Sequence, residues 1–338
     1  MRLIHGIALI GLILSLPLPA LAQSATPSAS PAATSGDFAG LVDIGGGRRL
    51  WLECRGQGSP TVMLESGYGS NADVWDTAAL ESAGGASSGA MAVLPGVAGF
   101  TRVCAYDRPG TMIDADHRSR SDPAPMPRTA ADAVADLHAL MDTAGIPGPY
   151  VLVGHSLGGA IVRLYAATYP DEIAGMVLVE ASHEEQNVRQ QAAMTAEQWA
   201  AFEGTVEAVT RPEDDPDVER MDVDASFDQL RAATTAHPLP PLPLVVLTRG
   251  RPASDDFPPE AKSALPSDFP WDAYDAVWLE LQDELATLAP DARHVIASRS
   301  AHYIQVNQPE LVIEAIRQVV EGVRNPDTWY DLASCCAK

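Results

Sequence analysis

The sequence Gly-His-Ser-Leu-Gly-Gly at residues 154–159 decides the fold. It comes directly after an apolar, β-branched segment at residues 150–153 and directly before a helical pattern at residues 160–168. A serine with glycines two positions before and after it can occupy a sharp strand-to-helix turn, where larger side chains would collide. This context predicts that the hydroxyl of Ser156 is exposed as a nucleophile. It also predicts that the amide of Leu157 points at the same place from a helix N-terminus.

The rest of the chain alternates short apolar runs with helical patterns, which is typical of a mostly parallel, doubly wound α/β sheet with helices on both faces. Thr129 and Asp132 predict the cap at the start of one helix, and Gly145 predicts its end. Pro309 suits the first position of the last helix. The predicted strands lie at residues 49–54, 61–64, 102–106, 150–153, 176–179, 244–248 and 294–297, and a further helix lies at about residues 272–288.

Residues 182–243 interrupt this alternation, because they contain helical segments but no predicted strand. An insertion of this length between two strands favours a helical lid over the carboxyl edge of the sheet. Four large apolar residues within it could line an apolar acyl pocket or could pack the lid onto the core, and the sequence leaves both open. They are Met194, Trp199, Phe202 and Phe227.

A serine hydroxyl is a weak nucleophile at neutral pH and needs a base that accepts its proton. His302 lies a few residues after the last predicted strand, in a loop that should emerge at the carboxyl edge beside Ser156. His155 is fixed next to the nucleophile in the chain and should point elsewhere. We therefore predict that His302 is the general base.

The base in turn needs a carboxylate that holds its tautomer and stabilises the imidazolium. Glu180 comes immediately after the strand at residues 176–179. Asp255 and Asp256 come several residues beyond the end of the following strand. Position alone leaves both possibilities open.

An oxyanion hole also needs a second backbone amide. The turn at residues 65–69 follows the strand at residues 61–64, and its glycines allow the amide of Tyr68 to reach the site. The same residues would also fit an ordinary glycine turn.

The formal net charge of −23 argues against nucleic acid and anionic lipid as partners. The sequence contains no Cys-x-x-Cys and no cluster of Cys and His at zinc spacing, so we predict neither a metal site nor a cofactor. Its four cysteines are Cys54, Cys104, Cys335 and Cys336.

The beginning of the chain predicts export. Residues 1–22 combine Arg2, an apolar run and small residues at positions 20 and 22, a pattern typical of a cleaved signal peptide. The run is too short and too interrupted by proline for stable membrane insertion. We expect a disordered linker at residues 23–37, one domain at residues 38–324, a tail at residues 325–338, and a secreted or periplasmic location.

Four segments together carry a resemblance to a known family. They read TVMLESG (61–67), YDRPG (106–110), GPYVLVGHSLGG (148–159) and HYIQVNQPE (302–310). With them the chain resembles the α/β-hydrolase superfamily over about residues 38–323, and more narrowly bacterial secreted serine hydrolases. The resemblance implies the α/β-hydrolase fold with a lid and an esterase-like activity without a cofactor.

The resemblance bears on three details. Most members begin the oxyanion turn with His-Gly, whereas Ser66 stands in place of that histidine here. Most members carry the acid after the strand at residues 244–248, but some carry it where Glu180 stands, and we favour Glu180 over Asp255 or Asp256. The strands that carry Cys54 and Cys104 are neighbours in this fold, so the resemblance implies a disulfide between them.

The serine at position 156 excludes the haloalkane dehalogenases and epoxide hydrolases, whose nucleophile is an aspartate. The expected reaction is hydrolysis of a small, apolar carboxylic ester, lactone or thioester. Two alternatives stay open: a cofactor-free haloperoxidase or acyltransferase with the same triad, and a binding protein that kept the fold and lost turnover. The last of these predicts a damaged triad, and none is visible.

Overall fold

The computed structural model describes residues 36–78, 91–114, 117–210 and 215–329, and within them eight strands form one sheet. The strands are β1 (Phe38–Gly45), β2 (Arg48–Arg55), β3 (Thr61–Glu65), β4 (Val103–Tyr106), β5 (Tyr150–His155), β6 (Ile173–Val179), β7 (Leu244–Arg249) and β8 (Arg293–Ala297). Their order is β1-β2-β4-β3-β5-β6-β7-β8. Strand β2 runs antiparallel to β1 and β4, and every other pairing is parallel. The predicted mostly parallel, doubly wound sheet is thus confirmed.

Helices cover both faces of this sheet. They are α1 (Val93–Ala98), α2 (Ala130–Thr143), α3 (Leu157–Thr168), α4 (Gln186–Ala192), α5 (Ala196–Thr210), α6 (Val223–Ala236), α7 (Pro259–Ala264), α8 (Trp271–Leu285), α9 (Ile304–Asn307) and α10 (Pro309–Arg324). Side chains alternate along β5, so that Leu152 joins the core beneath α2 and α3 while Val151 and Val153 join the core beneath α1 and α10. Burial on both faces explains why the central strands read as continuous apolar runs.

Local sequence signals set several boundaries as predicted. Thr129 and Asp132 form a capping box at the start of α2, and α10 begins at Pro309. Gly145 follows the end of α2 with a φ of 65°. Strand β1 was missed, because it is an edge strand in which only Val42 is buried and it therefore lacks a strong apolar pattern.

Cys54 and Cys104 lie opposite each other on the paired strands β2 and β4. Both side chains are fully buried and joined by a disulfide, which confirms that prediction.

Part of the insertion at residues 182–243 packs into the main core. Its described residues, 182–210 and 215–243, form α4, α5 and α6 and none of the eight strands. Helix α6 packs against α2 and α3, and its Phe227 and Leu230 belong to the main core. The expectation of a lid across the whole insertion therefore needs correction, because α6 belongs to the helical layer beside the sheet.

The ends of the chain lie partly outside the described residues. The predicted signal peptide at residues 1–22, most of the linker at residues 23–37, and Cys335 and Cys336 all fall there. At the other end Trp329 is buried beneath the guanidinium of Arg293, so the folded part continues past the boundary expected at residue 324. In the described part of the chain, none of the helices combines the length and the apolar character that a membrane span requires.

Candidate active site

Ser156 occupies the turn between β5 and α3, at the carboxyl edge of the sheet. Its backbone has a φ of 53° and a ψ of −123°, a strained conformation for a residue with a side chain. A Cβ atom at Gly154 would lie 2.5 Å from the carbonyl oxygen of Gly158, and one at Gly158 would collide with the carbonyl of Glu65. The glycines around the serine are therefore required by close packing, as the sequence predicted.

His302 lies in the loop after β8 and reaches the same edge. The Nε2 atom of His155 is 3.0 Å from the carbonyl oxygen of His302, and the two ring centroids are 4.7 Å apart. Burial holds the pKa of His155 well below its usual range, so this ring is neutral. A neutral His155 with one nitrogen bound to a carbonyl supports the His302 loop, and His302 remains the predicted base.

The three candidate carboxylates occupy different places. The Oε1 atom of Glu180 is 3.9 Å from Nδ1 of His302 and is fully buried. The carboxylate of Asp256 accepts the backbone N–H of His302 at 3.0 and 3.2 Å. Asp255 instead forms an ion pair with Arg251 at the surface. Glu180 therefore faces the imidazole ring, whereas the hydrogen bonds of Asp256 go to the main chain of the same residue.

Arg249 fixes the carboxylate of Glu180. Its backbone N–H donates to Oε2 of Glu180 at 2.8 Å, and its guanidinium donates to Oε1. The guanidinium also pairs with Asp275 at 2.8 Å. Burial alone would lower the pKa of Arg249, but the charge of Glu180 and the hydrogen bond with Asp275 raise it. Burial likewise raises the pKa of Asp256, against the opposing effect of His302.

The predicted oxyanion turn lies against the nucleophile. A Cβ atom at Gly67 would lie 2.8 Å from Nδ1 of His155 and 3.2 Å from Cβ of Ser156. Ser66 is buried in the core and bonds to Trp75 and to the carbonyl of Asn71 at 3.0 Å each. Leu157 is the first residue of α3, so its amide belongs to the helix-terminal N–H groups that lack an intrahelical acceptor.

An aromatic cap cluster joins α5 to the residues that follow β7. Trp199 and Phe202 from α5 pack against residues that follow β7 in the chain. Trp278, one turn beyond the cluster on α8, brings its ring centroid to 6.3 Å from that of His302. The cluster comprises Met194, Trp199, Phe202, Phe257, Leu265, Phe269, Trp271 and Tyr274.

Sequence reasoning missed part of this arrangement. The segment between β7 and α8 contributes Phe257, Leu265 and Phe269 to the cap cluster, and α8 contributes Trp271 and Tyr274, although only residues 182–243 were expected to form a lid. Arg249 and Asp275, which surround Glu180, were also missed. The one available signal was the long, proline-rich interval between β7 and β8, which is too long for an ordinary loop.

Comparisons with known proteins agree with this architecture. The family model described as alpha/beta hydrolase fold matches residues 60–273, more than half of the chain. The chain is 27% identical to an AB hydrolase superfamily protein of Gibberella zeae, over 66% of this chain and 79% of that protein. It is 35% identical to the pimeloyl acyl-carrier-protein methyl ester esterase of Chromobacterium violaceum, over 39% of this chain and 41% of that enzyme.

Other matches are more limited. The chain spans 20% of the length of another curated relative, with which it is 30% identical. Among solved structures, alpha/beta hydrolase domain-containing protein 10 from mouse matches with a TM-score of 0.54 and 15% identity, over 85% of this chain and 99% of that one. This likeness shows a shared fold.

Proposed function

Because the chain belongs to the α/β-hydrolase fold family, we propose that it is a serine hydrolase that cleaves carboxylic esters through an acyl-Ser156 intermediate. The observation that carries the proposal is the arrangement around Ser156. Its strained turn lies against Gly67 on one side, and His302 lies beside His155 with Glu180 behind it. These elements converge at the carboxyl edge of one sheet.

Each of these groups has a defined part in the reaction. His302 takes the proton of Ser156 as the hydroxyl oxygen attacks the ester carbonyl carbon. The amides of Leu157 and Tyr68 donate to the oxygen that becomes negative. His302 then gives its proton to the leaving alcohol, and a water molecule, activated by the same ring, releases the acid and restores Ser156.

We assign the acid of the triad to Glu180. Its carboxylate oxygen lies on the Nδ1 side of His302, where it holds the ring orientation and balances the imidazolium. The distance of 3.9 Å is longer than a hydrogen bond, and such contacts often tighten only when substrate binds. Asp256 contributes by holding the loop that carries His302.

Ester specificity and export extend this proposal. The aromatic cap cluster, whose Tyr274 lies one helical turn before the Trp278 near His302, favours an apolar acyl group. The relative from Chromobacterium violaceum is named as a methyl ester esterase. The disulfide between Cys54 and Cys104 supports a secreted or periplasmic location, because such bonds persist in oxidising compartments.

The test is turnover of p-nitrophenyl esters of short and long acyl chains, together with labelling by a fluorophosphonate. We expect hydrolysis of the short esters and a label that peptide mass spectrometry maps to Ser156. Ser156→Ala and His302→Ala should each lower kcat by on the order of 10⁶, because nucleophile and base act as one unit.

Ser66 serves as the internal control for the label. Its hydroxyl is buried beside the same turn but is bound to Asn71 and Trp75, so it should remain unlabelled. Absence of both label and turnover in the folded wild-type protein would favour a binding protein. Transfer of the acyl group to an added alcohol in preference to water would instead identify an acyltransferase.

A further inference from the structure

Arg108 lies just after β4, and its buried guanidinium donates hydrogen bonds to carboxylate and carbonyl oxygen atoms. Its Nε atom donates to Oε1 of Glu219 at 2.7 Å, and Nη2 donates to Oε2 of the same residue at 3.0 Å. Nη1 donates to a carboxylate oxygen of Glu65 and to the carbonyl of Ser66, the latter at 2.8 Å. Nη2 also donates to the carbonyl of Gly67 at 2.7 Å. All five N–H groups of the guanidinium are thus occupied.

One of these bonds fixes the direction of a backbone amide. The carbonyl of Gly67 and the N–H of Tyr68 belong to one planar, trans peptide and point in opposite directions. Because Arg108 holds that carbonyl, the N–H of Tyr68 is kept on the side of the peptide away from Arg108. A rotated peptide would turn the carbonyl oxygen toward the site and would remove the donor that an oxyanion needs.

Glu219 comes from the insertion and contacts the oxyanion turn at two points and the Arg108 loop at a third. Its Oε2 accepts the N–H of Gly69 at 2.7 Å, and its carbonyl accepts the hydroxyl of Tyr68 at 3.2 Å. Its backbone N–H donates to the carbonyl of Gly110 at 2.8 Å, in the loop that also carries Arg108. The insertion at this residue therefore bridges the Arg108 loop and the oxyanion turn.

The charges explain why both carboxylates are needed. Burial raises the pKa of Glu65, and the charge of Arg108 opposes this effect. Burial alone would lower the pKa of Arg108, but the two neighbouring carboxylates raise it, so the guanidinium stays charged. A buried charge of this kind is stable only with close partners, and these partners fix its position.

We infer that Arg108 and Glu219 are positioning residues that hold the Tyr68 amide toward the oxyanion, and that the hole forms only when the insertion is seated at Glu219. The inference rests on the proposed function insofar as Tyr68 is taken to be an oxyanion donor. It adds a dependence of that donor on a residue more than a hundred positions away in the chain.

Glu219→Gln is the variant that tests it, with Glu184→Gln as the matched control. Glu184 belongs to the same insertion and pairs with another buried arginine, Arg163, at 2.6 Å. We expect Glu219→Gln to lower kcat by about 10- to 10³-fold, up to the loss of one oxyanion donor, with little change in KM. Affinity for a trifluoromethyl ketone, which forms an oxyanion, should fall in parallel, whereas affinity for the carboxylic acid product should not.

A second readout does not depend on activity. The chain has eight tyrosines, so a sample labelled with ¹⁵N-tyrosine gives few amide signals, and Tyr68→Phe identifies that of Tyr68. We expect this signal to move in Glu219→Gln and to stay in place in Glu184→Gln. Arg108→Lys, which keeps the charge but cannot bind two carbonyls and two carboxylates, should reproduce both effects.

The outcomes separate the two proposals. An unmoved Tyr68 signal, or equal kcat values for Glu219→Gln and Glu184→Gln, would overturn the inference while the serine hydrolase assignment stands. The Tyr68 signal could instead move in Glu219→Gln while the wild-type protein neither takes the label nor hydrolyses any ester. That result would support the positioning role and overturn the proposed function.

Discussion

Arg108 and Arg249 occupy mirrored places around Ser156 but hold different parts of the site. In the sheet, β5 is flanked by β3 and β6, and the next strands outward are β4 and β7. A buried glutamate ends each flanking strand: Glu65 ends β3 and Glu180 follows β6. Each glutamate pairs with an arginine from the next strand outward, Arg108 or Arg249.

The difference lies in what each pair leaves for the chemistry. Glu65 is bound by Arg108 and by the hydroxyl of Tyr106, and two further donors of Arg108 hold backbone carbonyls of the oxyanion turn. Both oxygens of Glu180 are bound by Arg249, and the one that accepts its guanidinium, Oε1, also lies 3.9 Å from Nδ1 of His302. On one side of the nucleophile the arginine thus sets backbone geometry, and on the other side it sets the charge that the imidazole experiences.

The largest expected effect contrasts the two glutamates. Glu180→Gln should lower kcat by on the order of 10⁴, because it removes the charge that stabilises the imidazolium. Glu65→Gln, the matched substitution on the opposite side, should lower kcat far less, because Glu65 does not face the ring. Steady-state kinetics on one short ester, with melting curves to verify folding, measures both.

The alternative acids belong in the same series. Asp256→Asn and Asp255→Asn should both retain most activity, since Asp256 hydrogen-bonds to the main chain of His302 and Asp255 pairs with Arg251. If Glu180→Gln were nearly as active as the wild type and Asp256→Asn were inactive, the acid of the triad would be Asp256, which follows β7.

The contrast also shows what sequence could reach. The turn at Ser156, the order of strands and helices, and the cap of α2 follow from interactions between residues close in the chain, and these were predictable. The ion pairs around the site join residues far apart, such as Arg108 with Glu219 and Arg249 with Glu180, and no periodicity marks them. The YDRPG segment contains Arg108, but the sequence assigned that residue no role and marked none of its partners.

The packing of the insertion also could not be predicted from residues that are close in the chain. The helical pattern of α6 is the same whether its apolar stripe covers a site or a neighbouring helix. Only the structure shows that Phe227 and Leu230 join the main core, whereas Trp199 and Phe202 meet aromatic residues that follow β7. Apolar periodicity predicts that a face is buried, not what covers it.

The next prediction concerns the acid limb of the pH profile of kcat/KM. The charged groups near His302 are Glu180, Asp256 and Arg249, with Asp275 behind Arg249. Arg249→Met removes the cation that opposes Glu180, so the protonated ring becomes more stable and a higher pH is needed to free the base. The acid limb should therefore move to higher pH.

Asp275→Asn should shift the acid limb in the opposite direction. Without Asp275 the guanidinium of Arg249 acts more strongly on Glu180, so the acid limb should move to lower pH. This variant also guards against instability, because loss of Arg249 breaks a buried pair and can cost about 3–5 kcal/mol. Arg108→Lys should lower the maximum value of kcat/KM without shifting the acid limb of its pH profile. A shift of the acid limb in this variant would contradict the different roles given to Arg108 and Arg249.

The smallest effect on activity is expected at Arg163, a third buried arginine, which pairs with Glu184 and contacts neither the oxyanion turn nor His302. Burial alone would raise the pKa of Glu184, but the hydrogen bonds and charge of Arg163 lower it to about 2. A carboxyl with a depressed pKa stabilises the folded state above its unfolded pKa of about 4.3, and this stability is lost as the pH falls toward the folded value. Glu184→Gln should therefore lower the free energy of unfolding at pH 7 by on the order of 3 kcal/mol, with kcat and KM close to those of the wild type. Urea denaturation of both proteins at several pH values should show the difference shrinking between about pH 4 and pH 2. A difference that does not change with pH would attribute the loss to packing, and a large fall in kcat would mean that any buried arginine pair in this fold affects the site.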